Sequence, residues 1–194
     1  MPYDSAPDTR EHIDAVNRSI REIIRCLLEQ GDIHDSSKLW PPEKPIFDQY
    51  TLLLRQVEYG SDAYFAHLRE MSVALTHHYE TNPHHPEHYP VRESVQITIL
   101  ETDILSLEQD THLQEEVRER LVMALRTYLA ELRSQINGMD LIYLAEMFCD
   151  WHAASLRHPD GALQKSIPTN IRRFGLSAQI ANIFENTRKR LDWR

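Results

Sequence analysis

Ile13, Val16, Ile20, Ile23 and Leu27 recur at steps of three and four residues, the spacing of one face of a helix. Thr9 or Asp8 caps this first helix, and Gly31 ends it. His34-Asp35-Ser36-Ser37-Lys38 follows as a short turn or helical start, and Trp40-Pro41-Pro42 breaks the chain. A second helix is expected from Glu43 to Tyr59, stopping at Gly60. Ser61 or Asp62 caps a third, carried by Tyr64, Leu68, Met71 and Leu75 to about Tyr79. The stretch from Asn82 to Pro90 holds three prolines and reads as a rigid non-helical loop.

Residues 91–136 carry a helical pair. Val95, Ile99 and Leu100 mark its first member; Val117, Leu121, Leu125, Tyr128 and Leu132 mark the second, after Asp110 or Thr111. The stripe on that second helix serves either core packing or a dimer seam. Asn137-Gly138 is a stop, and Asp140 caps a helix from Leu141 to about Arg157. His158-Pro159-Asp160-Gly161 is a turn, and Ser177 caps a last helix to about Leu191. No element is assigned between Gly161 and Ser177. The pattern is that of a single all-α domain over residues 1–194, with six or seven helices and one His-rich loop.

Composition supports this reading. Of 194 residues only 5 are Gly, too few for the tight turns of an all-β fold. The net charge of −9 disfavours bulk binding to nucleic acid or to an anionic membrane. No apolar run reaches the roughly 18 residues of a membrane span, and MPYDSAPDTREH lacks the basic start of a secretory signal. Cys26 and Cys149 fall in apolar helical patterns and are expected to be buried free thiols. These features read as a soluble cytoplasmic protein. No glycine-rich phosphate loop, dinucleotide fingerprint or serine-nucleophile elbow occurs.

The 11 histidines change the picture. His12 is in phase with the apolar face of the first helix, His34-Asp35 follow that helix, and several imidazoles lie between His78 and His88. Asp150 sits late in the chain, in phase with Tyr143, Met147, Ala153 and Ala154. Imidazole and carboxylate together suit Mn, Fe, Co, Ni or Zn as divalent ions. Glu146, four residues before Asp150, reads either as a carboxylate orienting a ligand or as an exposed helix residue. His84 and His85 read either as ligands or as rings stacked in a Pro-rich turn; His67 and His112 are expected to face solvent.

The order His12, His34-Asp35, Asp150 resembles the H…HD…D pattern of the HD-domain superfamily of metal-dependent phosphohydrolases, and HDSSK (34–38) resembles its HD-x-x-K segment. HDSSKL (34–39), YGSDAY (59–64), HHYETNPHHPEHY (77–89), NGMDLIYLAEMFCDW (137–151) and the end from RHPDG through RRFG to ENT (157–187) are together similar to a small uncharacterised HD-like family of bacterial and phage genomes. In that family the HHPEHY segment runs almost directly into NGM; here residues 90–136 intervene as an inserted helical pair.

The resemblance implies an HD-domain-like helical bundle with His12, His34, Asp35 and Asp150 as core metal ligands. His78, with His84 or His85, would complete that centre or serve a second ion. It implies Asp35, Lys38 and Asp150 in catalysis. Asn82, Glu87 and His88 would line the pocket, with Lys38, Arg157, Arg172 and Arg173 toward phosphate. The implied activity is hydrolysis of a phosphomonoester or phosphodiester, on a nucleotide, by a metal-activated water. A di-iron oxygenase and a non-catalytic helical binding module with a structural metal are the alternatives, and the inserted helices are the candidate seam of a homodimer.

Overall fold

The computed structural model describes residues 3–58, 61–91, 93–157 and 161–194. Among them every regular element is helical, so the chain is all-α. No described helix is long and apolar enough to cross a membrane. The chain forms two compact units, Met1–His78 with Leu141–Glu146, and Tyr79–Asp140 with Met147–Arg194.

The first unit opens with α1 (Ala6–Ile33). The helix starts at Ser5 rather than at Thr9 or Asp8, because Pro7 sits in its first turn, where a missing N–H costs nothing. It continues through Gly31 and ends only at His34. None of its residues is buried, and Ile13 and Ile20 are half exposed. The stripe that specifies the helix is therefore not a core stripe among the described residues. A tight 3-10 turn, Ser36–Leu39, follows. Next come α2 (Glu43–Gln56), α3 (Asp62–Glu70) and the start of α4 (Ser72–Thr81). Helix α2 packs on the 36–39 turn and on α3.

Ser61 caps α3 by accepting from the Tyr64 amide. The single helix expected from there to Tyr79 is two helices, broken at Met71, whose side chain is fully buried with Ala74. The expected stop of the second helix at Gly60 lies outside the described residues; α2 ends at Gln56.

The second unit holds α5 (Val95–Glu108) and α6 (Glu115–Arg133), packed on each other as the helical pair of residues 90–136. Arg126 pairs with Glu108 across them, and Arg133 reaches Glu93 and Glu101. No residue of α6 is buried, and Leu121 and Tyr128 of its stripe are exposed. Another 3-10 turn, Gln135–Gly138, leads to α7 (Leu141–Ser155), whose residues to Glu146 belong to the first unit. Then come α8 (Leu163–Phe174) and α9 (Ala178–Arg190), packed on each other.

Helix α8 carries Pro168 in its interior and buries Leu163, Ile167 and Asn170. Gly175, at φ 59°, closes it in the left-handed conformation that glycine adopts without steric cost. The core of this unit joins Phe148, Trp151 and Phe184 to Leu163, Ile167 and Leu176, all buried. The turn expected at 158–160 lies outside the described residues. Cys26 is only half buried and Cys149 is exposed, so neither is buried as the apolar pattern predicts. Cys149 follows Phe148 on α7, where Met147, Phe148 and Trp151 are buried and Cys149 is exposed.

The last turn of α9 places Arg188 beside Glu185, 2.8 and 2.9 Å away, with Lys189 at 3.4 Å. The Arg188 hydrogen bonds pull the Glu185 carboxyl from its ordinary 4.5 to about 2. A carboxyl whose folded pKa is depressed stabilises the fold above its unfolded pKa, and that contribution is lost as pH falls from about 4.5 toward 2. Arg188→Ala is expected to move the Glu185 titration back toward 4.5. Carboxyl NMR reads this directly, and an unmoved titration would refute the pairing.

Candidate metal centre

In the first unit the end of α1 sets the geometry. His34 is the residue on which the helix stops, and Asp35 turns the chain in the left-handed region at φ 56°, ψ 13°. Aspartate tolerates that region better than most residues. The Lys38 amide then closes the turn on the Asp35 carbonyl at 2.9 Å, and the Lys38 Nζ reaches Asp35 Oδ2 at 2.6 Å. The Lys38 ammonium lies over the Phe47 ring, with Nζ 4.9 Å from its centroid.

Two imidazoles meet this carboxylate. His78, buried in α4, directs Nε2 to Asp35 Oδ1 at 3.2 Å, and His34 Nε2 lies 3.6 Å from Asp35 Oδ2. Each imidazole is held from behind by a second carboxylate. Glu146 on α7 is 2.9 Å from His34 Nδ1, and Glu43 on α2 is 2.9 Å from His78 Nδ1. With Glu43 and Glu146 ionised, each carboxylate would accept from the Nδ1–H of its ring. In that tautomer a neutral ring turns the lone pair of Nε2 toward an oxygen of Asp35. Lone pairs facing each other at 3.2 Å repel unless a cation or a second proton lies between them. For metal–ligand bonds of about 2.1 Å, neighbouring ligand atoms stand about 3.0–3.4 Å apart. The chemistry of this donor set fits a divalent ion.

Glu43 carries more than one partner. It is fully buried, and it takes His77 Nδ1 at 2.7 Å on Oε1 and the Ser37 hydroxyl at 3.1 Å on Oε2. None of Glu43, His77 or Ser37 is singled out for a role by the sequence. Glu43 is the first residue after Pro41-Pro42, where an acid reads as an ordinary favourable charge at a helix start.

In the second unit, His84 is buried and offers a ligand atom within 4.8 Å of one from His85 and of one from Asp150. The rings of His84 and His85 lie 4.2 Å apart at 42°, and Tyr79 packs on His85 at 5.1 Å. The loop carrying them includes a 3-10 turn, Pro86–His88, which packs on the 135–138 turn. Gly138 permits the approach: a Cβ there would stand 2.6 Å from the Tyr89 ring. Gln135 also donates to the Tyr89 carbonyl. Asn82 is buried, and its carbonyl accepts from the His85 amide.

Other expected residues fall elsewhere. His12 is exposed on α1 and is in neither group of clustered ligand atoms among the described residues, a correction to its implied ligand role. The reason is that the α1 stripe does not face a core. His88 is exposed and meets the Tyr79 carbonyl. Glu87 is bonded to Arg173 at 2.7 Å, and the Arg173 guanidinium lies over the Phe174 ring. Burial works against the charge of Arg173, but Glu87 and Tyr79 outweigh it and raise its pKa. Arg172 is exposed and lines a groove of about 710 Å³ with Arg126, Glu119 and Glu131. Arg157 is exposed at the end of α7. Of the other histidines, His112 is exposed as expected, whereas His67 is partly covered and lies 3.5 Å from Glu70.

No curated protein and no solved structure matches the chain. Residues 1–191 match a protein family described as a family of unknown function, DUF5662. With nearly its whole length covered, the chain belongs to the DUF5662 family.

Proposed function

We propose that this chain is a metal-dependent phosphohydrolase of HD type, acting on a nucleotide phosphoester in the cytoplasm. The observation that carries the reading is the arrangement of His34, Asp35 and His78: two imidazole Nε2 atoms aimed at the two oxygens of one aspartate, each ring held at Nδ1 by its own carboxylate. Metal-ligating histidines commonly carry such a partner on the other nitrogen. His34, Asp35 and His78 are the ligands proposed from this geometry. His84, His85 and Asp150 are the further ligands that the resemblance to HD phosphohydrolases implies.

A divalent Mn, Fe, Co, Ni or Zn ion bound there would polarise a phosphoryl oxygen and acidify water at neutral pH. The chain's own residues supply the rest. Glu43 and Glu146 fix ring orientation before substrate arrives. Lys38 brings a positive charge to Asp35 Oδ2, and an incoming phosphoryl oxygen would share that charge as its own grows more negative. Asp35 or Asp150 would take the proton that the attacking water gives up.

The test combines elemental analysis of protein purified without a histidine tag with hydrolysis of a nucleotide panel. About one or two equivalents of a first-row divalent metal are expected, with turnover lost on chelation and restored by one of these metals. Metal affinity should also weaken as pH falls toward the imidazole pKa, because a protonated ring cannot ligate. Bound iron with O₂ consumption and no hydrolysis would favour the oxygenase reading instead. A metal-free protein with no turnover would overturn the proposal.

A further inference from the structure

Glu43 stands out as a charged group that is fully excluded from solvent yet lies at the first residue of a helix. A lone buried carboxylate is strongly disfavoured, so its surroundings must compensate it. Three donors do so: His77 Nδ1 at 2.7 Å, His78 Nδ1 at 2.9 Å and Ser37 Oγ at 3.1 Å. Two of these come from adjacent residues of α4, and the third from the 36–39 turn directly after Asp35. Glu43 therefore ties three elements of the first unit together: the turn that carries Asp35 and Lys38, the start of α2, and the helix that carries His78.

We propose that Glu43 is a positioning residue for the metal centre, fixing His78 in the Nδ1–H tautomer so that Nε2 presents its lone pair on the side of Asp35. The inference rests on the metal-binding reading above. Each carboxylate oxygen has its own imidazole, Oε1 for His77 and Oε2 for His78. His77 thereby holds the carboxylate in the one rotation that serves His78. Ser37 donates to the same Oε2 and lies 3.3 Å from His78 Nδ1, closing the group on its third side. Phe47 meets the His78 ring edge-on at 5.9 Å. An amide cannot replace the acid. Glutamine at this position has one accepting and one donating end, so one imidazole must give up its Nδ1–H; if it is His78, the ligating lone pair moves to the wrong nitrogen.

The experiment titrates Zn²⁺ into metal-free wild type and Glu43→Gln by chelator competition. It also records long-range ¹H–¹⁵N spectra of the histidine rings in Zn²⁺-loaded wild type. Glu43→Gln is expected to weaken Zn²⁺ binding by about 10- to 100-fold, and His78 of the wild type should show protonated Nδ1 and metal-shifted Nε2. Helical circular dichroism of the metal-free variant tells a folded protein with a loosened site from an unfolded one.

If wild type takes up no Zn²⁺, the metal-binding reading fails and this inference with it. If wild type binds and a folded Glu43→Gln binds equally well, or the wild-type spectra show His78 protonated at Nε2, the role of Glu43 alone is overturned. The ring spectra need no variant, so they decide the matter even if Glu43→Gln does not fold.

Discussion

Asp35→Ala is expected to lower metal affinity and metal-dependent phosphoester hydrolysis by more than about 100-fold each. Three basic side chains converge on the Asp35 carboxylate. Its Oδ1 faces His78 Nε2 at 3.2 Å, and its Oδ2 takes Lys38 Nζ at 2.6 Å and lies 3.6 Å from His34 Nε2. Alanine would leave an ammonium and two imidazoles around a vacated position with no negative charge between them. A cation entering there would meet a net repulsive field instead of a ligand. Loss of the His34 ring alone would be milder, because Asp35 and His78 would still face each other. Metal content by mass spectrometry and steady-state hydrolysis of the best nucleotide substrate are the measurements. Undiminished metal and turnover in a folded Asp35→Ala protein would remove this cluster from consideration.

The largest expected effect on stability lies in the second unit. Phe184 of α9 is buried, stacks on Phe148 of α7 at 4.5 Å and 12°, and meets Trp151 edge-on at 5.6 Å. Trp151 in turn stacks with Phe174 of α8 at 6.0 Å. Removing the Phe184 ring would open a cavity at the point where three helices share aromatic contacts. Phe184→Ala should destabilise by about 3–5 kcal/mol, a fall in Tm on the order of 10 °C. Phe184→Leu keeps most of the volume and should cost clearly less. Thermal and urea unfolding would decide it. A loss below about 1 kcal/mol for the alanine variant would mean that the ring cluster is not what anchors α9.

The helical class is legible in the chain because apolar residues recur with helical spacing and glycine is scarce. The boundaries follow less faithfully, for identifiable reasons. Helix α8 carries Leu163, Ile167, Ile171 and Phe174 at helical spacing, but Pro168 in its middle removes an amide donor and crowds the preceding turn, so the stretch reads as broken. Its burial of Leu163, Ile167 and Asn170 holds it helical regardless. The break at Met71 leaves no mark either, since Glu70-Met71-Ser72 contains neither glycine nor proline. The α1 stripe shows the opposite limit. Periodicity says that a helix has an apolar face, but not that the face is covered. His12, assigned by its phase with that stripe, therefore lies exposed.

The site divides in the same way. His34, Asp35 and Lys38 are adjacent in the chain, and local turn geometry alone brings them together. His78 stands out because it lies in a histidine-rich run. Glu43 does not, being one of 30 acidic residues with nothing local to distinguish a buried carboxylate from a solvated one. Glu146 is readable only as two alternatives from its distance to Asp150, and its 2.9 Å contact with His34 spans 112 positions of sequence. Such pairings are fixed by the fold and not by any neighbouring residue.

The left-handed backbone at Asp35 narrows what can stand at that position. Branched and bulky side chains pay a steric penalty there, so a neutral replacement that preserves the turn must come from the small group of residues at ease with positive φ. Asparagine is the one with the outline of aspartate, its charge removed and one accepting oxygen replaced by a donating amide. An Asn-bearing protein would keep the turn while removing its anion, so its metal content would report what that one charge contributes.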